Sequence, residues 1–176
     1  MNLNLAQYVD VKRFSDNRGY FFEALNLTKP PFDKLDYIQN NVSVNDNDVL
    51  RVMHYQHKFP QGKLCYVLSG AAYDFVIDLR QSSPDFLKCR TFYLEPKGPA
   101  VWVPPGYAHG FLSCYDNTIF SYHVFGNPWV ASDEHSINPS SVPDIKQLID
   151  NKIYLSISQK DAEGYDLAKS DYPVYE

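Results

Sequence analysis

Three residues of this chain stand where they can act as base, acid or cation. His54 lies in an apolar segment, Lys63 follows nine residues later, and His109 lies in a later segment rich in Pro and Gly. A base beside a cation suits proton abstraction next to a ketone, because the cation stabilises the enolate that forms. The alternative for His54 is a structural, hydrogen-bonded histidine, which is the commoner fate of a lone histidine in a strand.

The elements that must position these residues are predicted to be short strands. Aromatic residues make up 15% of the 176 residues, and 12 prolines interrupt the chain, which is typical of many strands joined by turns. Period-two patterns predict strands at Asn4–Phe14, Tyr20–Ala24, Asp36–Val44, Val49–His57, Lys63–Leu68, Ala72–Leu79, Lys88–Leu94, Ala100–Val103, Gly110–Cys114, Thr118–Val124 and Ser136–Ile137. We therefore expect one all-β domain over residues 1–176, a sandwich or barrel.

The end of the chain departs from this pattern. Residues 142–151 carry apolar side chains at helical spacing behind Ser140 or Ser141, which predicts a short helix capped by one of these serines. The tail beyond it is polar, and we expect it to lie on the surface.

Two side-chain placements follow from strand geometry. If Ser69-Gly70 is a two-residue hairpin loop, Lys63 and Asp74 share a sheet face and Asp74 supports the lysine; a longer loop removes this inference. Alternation also places Val52 on the face of His54 and Arg51 on the opposite face, unless the strand bulges.

Composition excludes several classes of function. The formal net charge of −5 leaves no basic stripe for nucleic acid. The N-terminus lacks a signal-peptide pattern, and no segment approaches the ~20 apolar residues of a membrane span, so we expect a soluble, cytoplasmic protein. The cysteines, Cys65, Cys89 and Cys114, are odd in number and widely spaced, which favours free thiols.

The spacing of Gly98, Pro104, Gly106 and His109 resembles the second sequence motif of cupins, which are double-stranded β-helix (jelly-roll) barrels. The first cupin motif supplies metal ligands, two histidines and a glutamate, and His54, Gln56 and Lys63 stand at those places here. An ammonium group repels a divalent cation and offers it no lone pair, so we expect no catalytic metal.

A wider set of segments resembles the nucleotide-sugar epimerases typified by dTDP-4-dehydrorhamnose 3,5-epimerase, a family with a cupin-like fold. The resemblance spans Asp16–Glu23, Ile38–Ser43, Leu50–Gln56, Asp74–Arg80, Trp102–Pro104 and Tyr107–Phe111, in order and with preserved spacing over most of residues 11–137. It implies inversion at C3, at C5 or at both carbons of a 4-keto-6-deoxy sugar carried on a nucleoside diphosphate, most simply dTDP. The reaction moves only protons, so no cofactor is expected.

The resemblance also implies the roles of the reacting groups. His54 matches the base, and Lys63 places charge near the C4 oxygen. Tyr122 matches the acid for the opposite face, with a core tyrosine as the alternative. Asp161, in Ser158-Gln159-Lys160-Asp161, matches the partner of the base, and the alternative is a turn or helix-start residue.

Substrate binding is implied for a further set of residues: Arg18 and Arg51 for the diphosphate, Glu23, Gln39 and Asn41 for other contacts, His109 as a supporting group, and Trp129 beside the nucleotide base. For the arginines the alternative is an exposed salt bridge. The family exchanges N-terminal strands between subunits, which implies a homodimer with Arg18 reaching across the interface.

Three features limit the transfer. The segment Phe125–Trp129 is about one residue longer than in the family, which leaves the identity of the nucleotide open. The family's Leu-Arg-Gly is Leu50-Arg51-Val52 here, so Val52 is expected to fill space beside the base. The tail after Pro139 matches only loosely. The remaining alternatives are a cupin that binds nucleotide sugars without turnover and, less favoured, a metal-dependent cupin enzyme.

Overall fold

The computed structural model describes residues 1–169 and 171–176, and strands dominate it. The strands are β1 (Gln7–Val9), β2 (Arg13–Asp16), β3 (Gly19–Phe22), β4 (Tyr37–Asn45), β5 (Val49–Gln56), β6 (Gln61–Ser69), β7 (Ala72–Asp78), β8 (Cys89–Leu94), β9 (Ala100–Val103), β10 (Tyr107–Ser113), β11 (Thr118–Gly126), β12 (Glu134–Ser136) and β13 (Ser156–Ile157). The helices are α1 (Pro143–Ile149) and α2 (Gln159–Ala162), with 3-10 turns at Phe32–Lys34, Ala131–Asp133 and Pro139–Ser141.

Two sheets pack face to face. The first has the order β1-β9-β6-β11-β4, and the second has the order β12-β5-β10-β7-β8, with β13 added parallel to β5. Strands that are consecutive in the chain mostly lie in different sheets, which is the arrangement of a jelly roll. The expected all-β, cupin-like fold is confirmed. β2 and β3 form a separate two-stranded ribbon.

Apolar residues fill three layers. The inner layer joins the two sheets and includes Cys65, Val76, Phe111 and Phe120. A second layer lies between the outer face of the second sheet and α1, where Ile145 and Ile149 pack. A third covers the outer face of the first sheet beneath the 3-10 turn at Phe32. Both faces of β7 are covered, so six of its seven residues are buried, including its two aspartates. β4, at the edge of the first sheet, keeps one exposed face.

The predicted β6–β7 hairpin is wrong. β6 pairs with β11 and β9, whereas β7 pairs with β10 and β8 in the other sheet. Gly70 has φ +73°, and a side chain there would collide with Thr118, so a glycine permits this close crossing between sheets. A tight glycine turn between two strands has the same sequence signature in a hairpin and in a crossover.

Two element boundaries also differ from expectation. The predicted first strand is split into β1 and β2, with β2 already in the separate ribbon. Helix α1 lies within the predicted span, but it begins after Val142 with a proline in its first turn and no side-chain cap. The two serines form a 3-10 turn instead, which Asn138 caps. No helix in residues 1–169 and 171–176 is long and apolar enough to cross a membrane.

Candidate active site

A histidine–carboxylate pair forms the centre of the site. His54, on β5, and Asp161, on α2, approach within 2.6 Å between Nε2 and Oδ1, although 107 residues separate them in the chain. Burial is the largest single influence and disfavours the charge of Asp161, but the hydrogen bond to His54, the charge of His54 and hydrogen bonds from Ser158 and Val52 together outweigh it and lower the pKa of the carboxyl. In the neutral ring, a proton held on Nε2 by the carboxylate leaves Nδ1 as the basic nitrogen. The pair is thus suited to accept a proton.

Local structure explains how Asp161 reaches the histidine. Ser158 caps α2, and its side chain accepts a hydrogen bond from the backbone N–H of Asp161 at 3.1 Å. Asp161 is therefore a helix-start residue and a partner of His54 at once, so the two interpretations of this residue are compatible. β13, just before α2, pairs with β5 and fixes the tail beside the strand that carries His54.

His54 opens into a cleft of about 400 Å³ between the two sheets. The cleft is lined by Ser43, Arg51, His54, Lys63, His109, Gly110, Phe111, Tyr122, Glu134, Ser158, Lys160 and Asp161. It continues into a second cavity of about 410 Å³, which shares four of these residues and adds Gln39, Asn41, Gln61, Val124, Pro128 and Trp129. Nine of the sequence-predicted residues thus gather from five strands, one helix and the loop that carries Trp129.

Lys63 and Tyr122 stand together on the first sheet. The Lys63 Nζ lies 5.8 Å from the centre of the Tyr122 ring. Desolvation lowers the pKa of Lys63, and the nearby carboxylates of Glu134 and Asp74 oppose this shift. Burial, by contrast, raises the pKa of Tyr122. Its hydroxyl therefore stays protonated near neutral pH and can donate a proton.

Asp74 does not hold Lys63 as expected. It accepts a hydrogen bond from His109 at 2.8 Å, and both side chains are buried in the second sheet. The reason is the missing hairpin: β7 lies beside β10, so His109 is the neighbour of Asp74, and Lys63 lies in the facing sheet. Asp74 influences Lys63 only through its charge.

A bulge in β5 changes which side chains face the cleft. His54 pairs with His109, whereas Arg51 pairs with Phe111, so three steps along β5 match two along β10. Arg51 and His54 consequently both line the cleft. An unbulged strand would put Val52 beside the base, and this expectation is wrong. Val52 is fully buried in the outer layer, where it packs with α1. Gly110 permits the bulge, because a side chain there would meet the Cα of Val52 at 2.7 Å.

The second cavity is lined by three further predicted residues, Gln39, Asn41 and Trp129. Gln39 donates to Asn41 at 2.8 Å on β4. Trp129 is 57% exposed at the rim, and its indole Nε1 donates to Glu134 at 3.0 Å. Gln56, at the second cupin ligand place, turns to the backbone carbonyls of Phe59 and Pro128 instead.

Glu134 is a cleft residue that sequence reasoning missed. It lies on β12 and forms an ion pair with Lys160, next to Asp161. Burial opposes its ionisation, but the hydrogen bonds from Lys160 and Trp129 and the charge of His54 lower its pKa. A predicted strand at Ser136–Ile137 was the available signal, since alternation puts Glu134 on the face of Ser136.

Arg18 and Glu23 lie outside the cleft of this chain. Arg18 is at the tip of the β2–β3 ribbon, where its side chain is 85% exposed and pairs with Asp16 at 2.5 Å. Glu23 pairs with Lys29 at 3.1 Å on the surface. The structure therefore brings together the predicted base, its carboxylate partner, the lysine and the tyrosine, but not these two predicted substrate contacts.

A jelly-roll barrel with a histidine–carboxylate pair, a lysine and a tyrosine around one cleft defines a cupin-like protein equipped for proton transfer. The chain belongs to the dTDP-4-dehydrorhamnose 3,5-epimerase family, whose model matches residues 1–169. It is 32% identical to the dTDP-4-dehydrorhamnose 3,5-epimerase of Shigella flexneri, over 98% of this chain and 99% of the relative.

Solved structures agree with this assignment. A dTDP-6-deoxy-D-glucose-3,5-epimerase from Legionella pneumophila, in complex with dTDP-4-keto-L-rhamnose, superposes with a TM-score of 0.84 at 28% identity, over 97% of this chain and 94% of the other. ChmJ, a 3'-monoepimerase from Streptomyces bikiniensis in complex with dTDP-quinovose, gives 0.82 at 27% identity, over 93% and 84% of the chains. These two structural relatives thus differ in the number of carbons that their names say they invert.

Proposed function

We propose that this protein is an epimerase that inverts C3, C5 or both carbons of a dTDP-linked 4-keto-6-deoxy sugar. The observation that carries the proposal is the His54–Asp161 pair in a cleft that Lys63 and Tyr122 also line. Family membership supports the choice of substrate, since its members are named for a dTDP-linked keto sugar.

In the proposed mechanism, His54 removes the proton beside the C4 ketone, and Asp161 stabilises the imidazolium that forms. Lys63 stabilises the enolate oxygen. Losing one such preorganised group typically costs about 10²–10³ in kcat. Tyr122, on the facing sheet, returns a proton to the opposite face of the carbon, which inverts it. Only protons move, so the reaction requires no redox cofactor.

The second cavity is the proposed site of the nucleotide. Gln39 and Asn41 offer amide groups, and Trp129 offers an exposed aromatic face at its rim. Arg51 lines the cleft beside it, with its Nε held by Asn45 at 2.9 Å, and can donate to the diphosphate through its remaining N–H groups.

We further propose a homodimer in which the β2–β3 ribbon reaches a neighbouring subunit. The ribbon exposes Phe14 and Phe21, at 49% and 64%, and such aromatic surface favours a protein contact. In that assembly Arg18 and Glu23 serve the partner's cleft, which accounts for their distance from the cleft of their own chain. A cytoplasmic location remains a prediction from the sequence.

Incubation with dTDP-4-keto-6-deoxyglucose in deuterated water tests the proposal. We expect NMR to detect deuterium at C3 and C5 for a 3,5-epimerase, and at one carbon for a monoepimerase. His54→Ala is the matched control and should remove exchange. A protein that binds the nucleotide sugar without exchange is a binding cupin, and failure to exchange this or other 4-keto nucleotide sugars rejects the enzyme.

A further inference from the structure

Three buried side chains beneath the cleft converge in a way that the proposed reaction does not require. Cys65 on β6 faces Asp74 on β7 and His109 on β10, and one ligand atom of each lies within 4.8 Å of the others. Sulfur, imidazole nitrogen and carboxylate oxygen are the donor types that bind Zn²⁺ in proteins. All three residues are buried, so they do not form an ordinary polar surface cluster.

The distances suit a tetrahedral ion. The Cys65 Sγ lies 3.6 Å from the His109 Nε2, and typical zinc bond lengths put sulfur and nitrogen ligands about 3.5 Å apart. The His109 Nε2 lies 2.8 Å from the Asp74 Oδ2, and a shift of roughly 0.5 Å would admit the ion between them. The geometry is close to that of a ligand set before its metal enters.

Asp74 supplies an independent observation. Its Oδ1 is buried and has no hydrogen-bond partner in the described part of the chain. Buried carboxylate oxygens are normally satisfied, and a cation would satisfy this one. Asp74, the Cys65 sulfur and the His109 nitrogen give the protein three ligands, the number in zinc sites that leave the fourth position to water. A thiolate and a carboxylate together carry two negative charges, which match a divalent cation.

We propose that Cys65, Asp74 and His109 form a binding site for a thiophilic divalent cation of the Zn²⁺ class. Binding releases the thiol proton to solvent and moves the His109 ring nitrogen from the carboxylate to the metal. The nearby charge of Lys63 opposes the ion, which limits its affinity. Because Cys65 comes from the first sheet and the other two ligands from the second, the ion links the two sheets.

Occupancy also affects the cleft, where His109 forms part of the wall next to its strand partner His54. Resting on the proposed function, the inference is that the bound ion inhibits epimerisation. The site is then a point of metal inhibition in an enzyme whose own chemistry needs no metal.

Titration of the purified protein with Co²⁺ at about pH 8 tests binding without any activity measurement. Burial raises the pKa of the Cys65 thiol, so the entering metal must displace its proton. We expect one equivalent to produce a sulfur-to-cobalt charge-transfer absorption that is lost in Cys65→Val and kept in Cys114→Ala. Zn²⁺ at a hundredfold excess over its Kd should raise Tm by about 5–10 °C in the wild type. The zinc-induced change, compared within each variant, should disappear in Cys65→Val.

A cobalt spectrum or a zinc-induced rise in Tm that persists in Cys65→Val overturns the site, as does the absence of both in the wild type. The epimerase assay adds a separate arm, in which Zn²⁺ should inhibit the wild type and spare Cys65→Val relative to its own rate without zinc. An inactive wild type that still shows the Cys65-dependent spectrum rejects the proposed function and leaves the metal site standing.

Discussion

The cleft and the β2–β3 ribbon hold their functional residues in contrasting ways. In the cleft, His54 and Asp161 are fixed by β5, β13 and the capped helix α2, and Lys63 and Tyr122 come from strands paired on both sides. Among the described residues, strands β2 and β3 of the ribbon pair only with each other, and Arg18 projects from the ribbon tip. The groups proposed to move protons are therefore held by strands and a helix of one chain, whereas Arg18, in the described part of the chain, has only its near neighbour Asp16 as a hydrogen-bond partner.

This difference has a physical basis. Proton transfer depends on placing the donor and acceptor within hydrogen-bond reach, so small displacements reduce the rate strongly. A diphosphate contact adds affinity but carries less geometric demand at the reacting carbon. Substitutions in the cleft should therefore affect kcat, and those in the ribbon should affect KM.

The largest effect is expected for His54→Ala, which removes the base. A positioned general base contributes about 10²–10⁴ to the rate, and we expect deuterium exchange at the sugar to fall by at least that factor. NMR of the substrate in deuterated water measures it. His57→Ala is the matched control, since His57 bonds to the Val174 carbonyl away from the cleft. Equal loss in both variants would mean that folding, and not the base, is affected.

Lys63→Met should lower kcat by about 10²–10³, the typical cost of losing one group that stabilises an oxyanion. The pH profile gives the sharper test. Desolvation lowers the pKa of Lys63, and the reaction needs its protonated form, so kcat/KM should fall as pH rises, beginning below the range of an ordinary lysine. In Lys63→Arg the guanidinium stays charged, and the alkaline fall should move to higher pH. An unchanged alkaline limb in Lys63→Arg assigns that titration to another group.

Tyr122→Phe should separate two steps that His54→Ala abolishes together. Without the phenol, His54 still removes and returns a proton on one face, so exchange continues while inversion falls, by about 10²-fold if Tyr122 is the acid. The ratio of deuterium uptake to inverted product measures this. Tyr93→Phe, on β8 outside the cleft, is the control. Inversion and exchange that fall equally would require a different proton donor for the second face.

The comparison also shows what the sequence can predict. The fold class follows from strand patterns and turn residues, and the resemblance pairs His54 with Asp161, 107 positions later in the chain, through the Ser158–Asp161 segment. Neither the periodicity nor the charge of the chain predicts that the polar tail lies against β5. Long-range pairings of this kind are set by the packing of the whole barrel.

The errors have local causes. The β5 bulge inverts the parity of Val52 relative to His54, and its determinant, Gly110, lies on a different strand. The β6–β7 turn has the sequence signature of a hairpin, because a hairpin and this crossover both use a glycine with positive φ. Both errors concern how strands pair, one in the register and the other in the partner. Register and partner both depend on residues far away in the sequence.

The smallest expected effect, and the most direct test of the contrast between cleft and ribbon, is that of Arg18→Ala. Removing one phosphate contact should raise KM roughly tenfold, at about 1.4 kcal/mol, and leave kcat nearly unchanged. Lys12→Ala, at the base of the ribbon, is a control for general loss of positive charge.

Mixing subunits shows whose cleft Arg18 serves. Arg18→Ala and His54→Ala chains are refolded together and assayed at substrate below KM, where each parent is weak. Random association of equal amounts makes half of the dimers mixed. If Arg18 acts across the dimer, each mixed dimer has one cleft with both groups intact and one with neither. Activity then rises to about a quarter of the wild-type value, above the mean of the two parents. If Arg18 serves its own chain, mixing gives only that mean, and the exchanged-ribbon dimer is rejected.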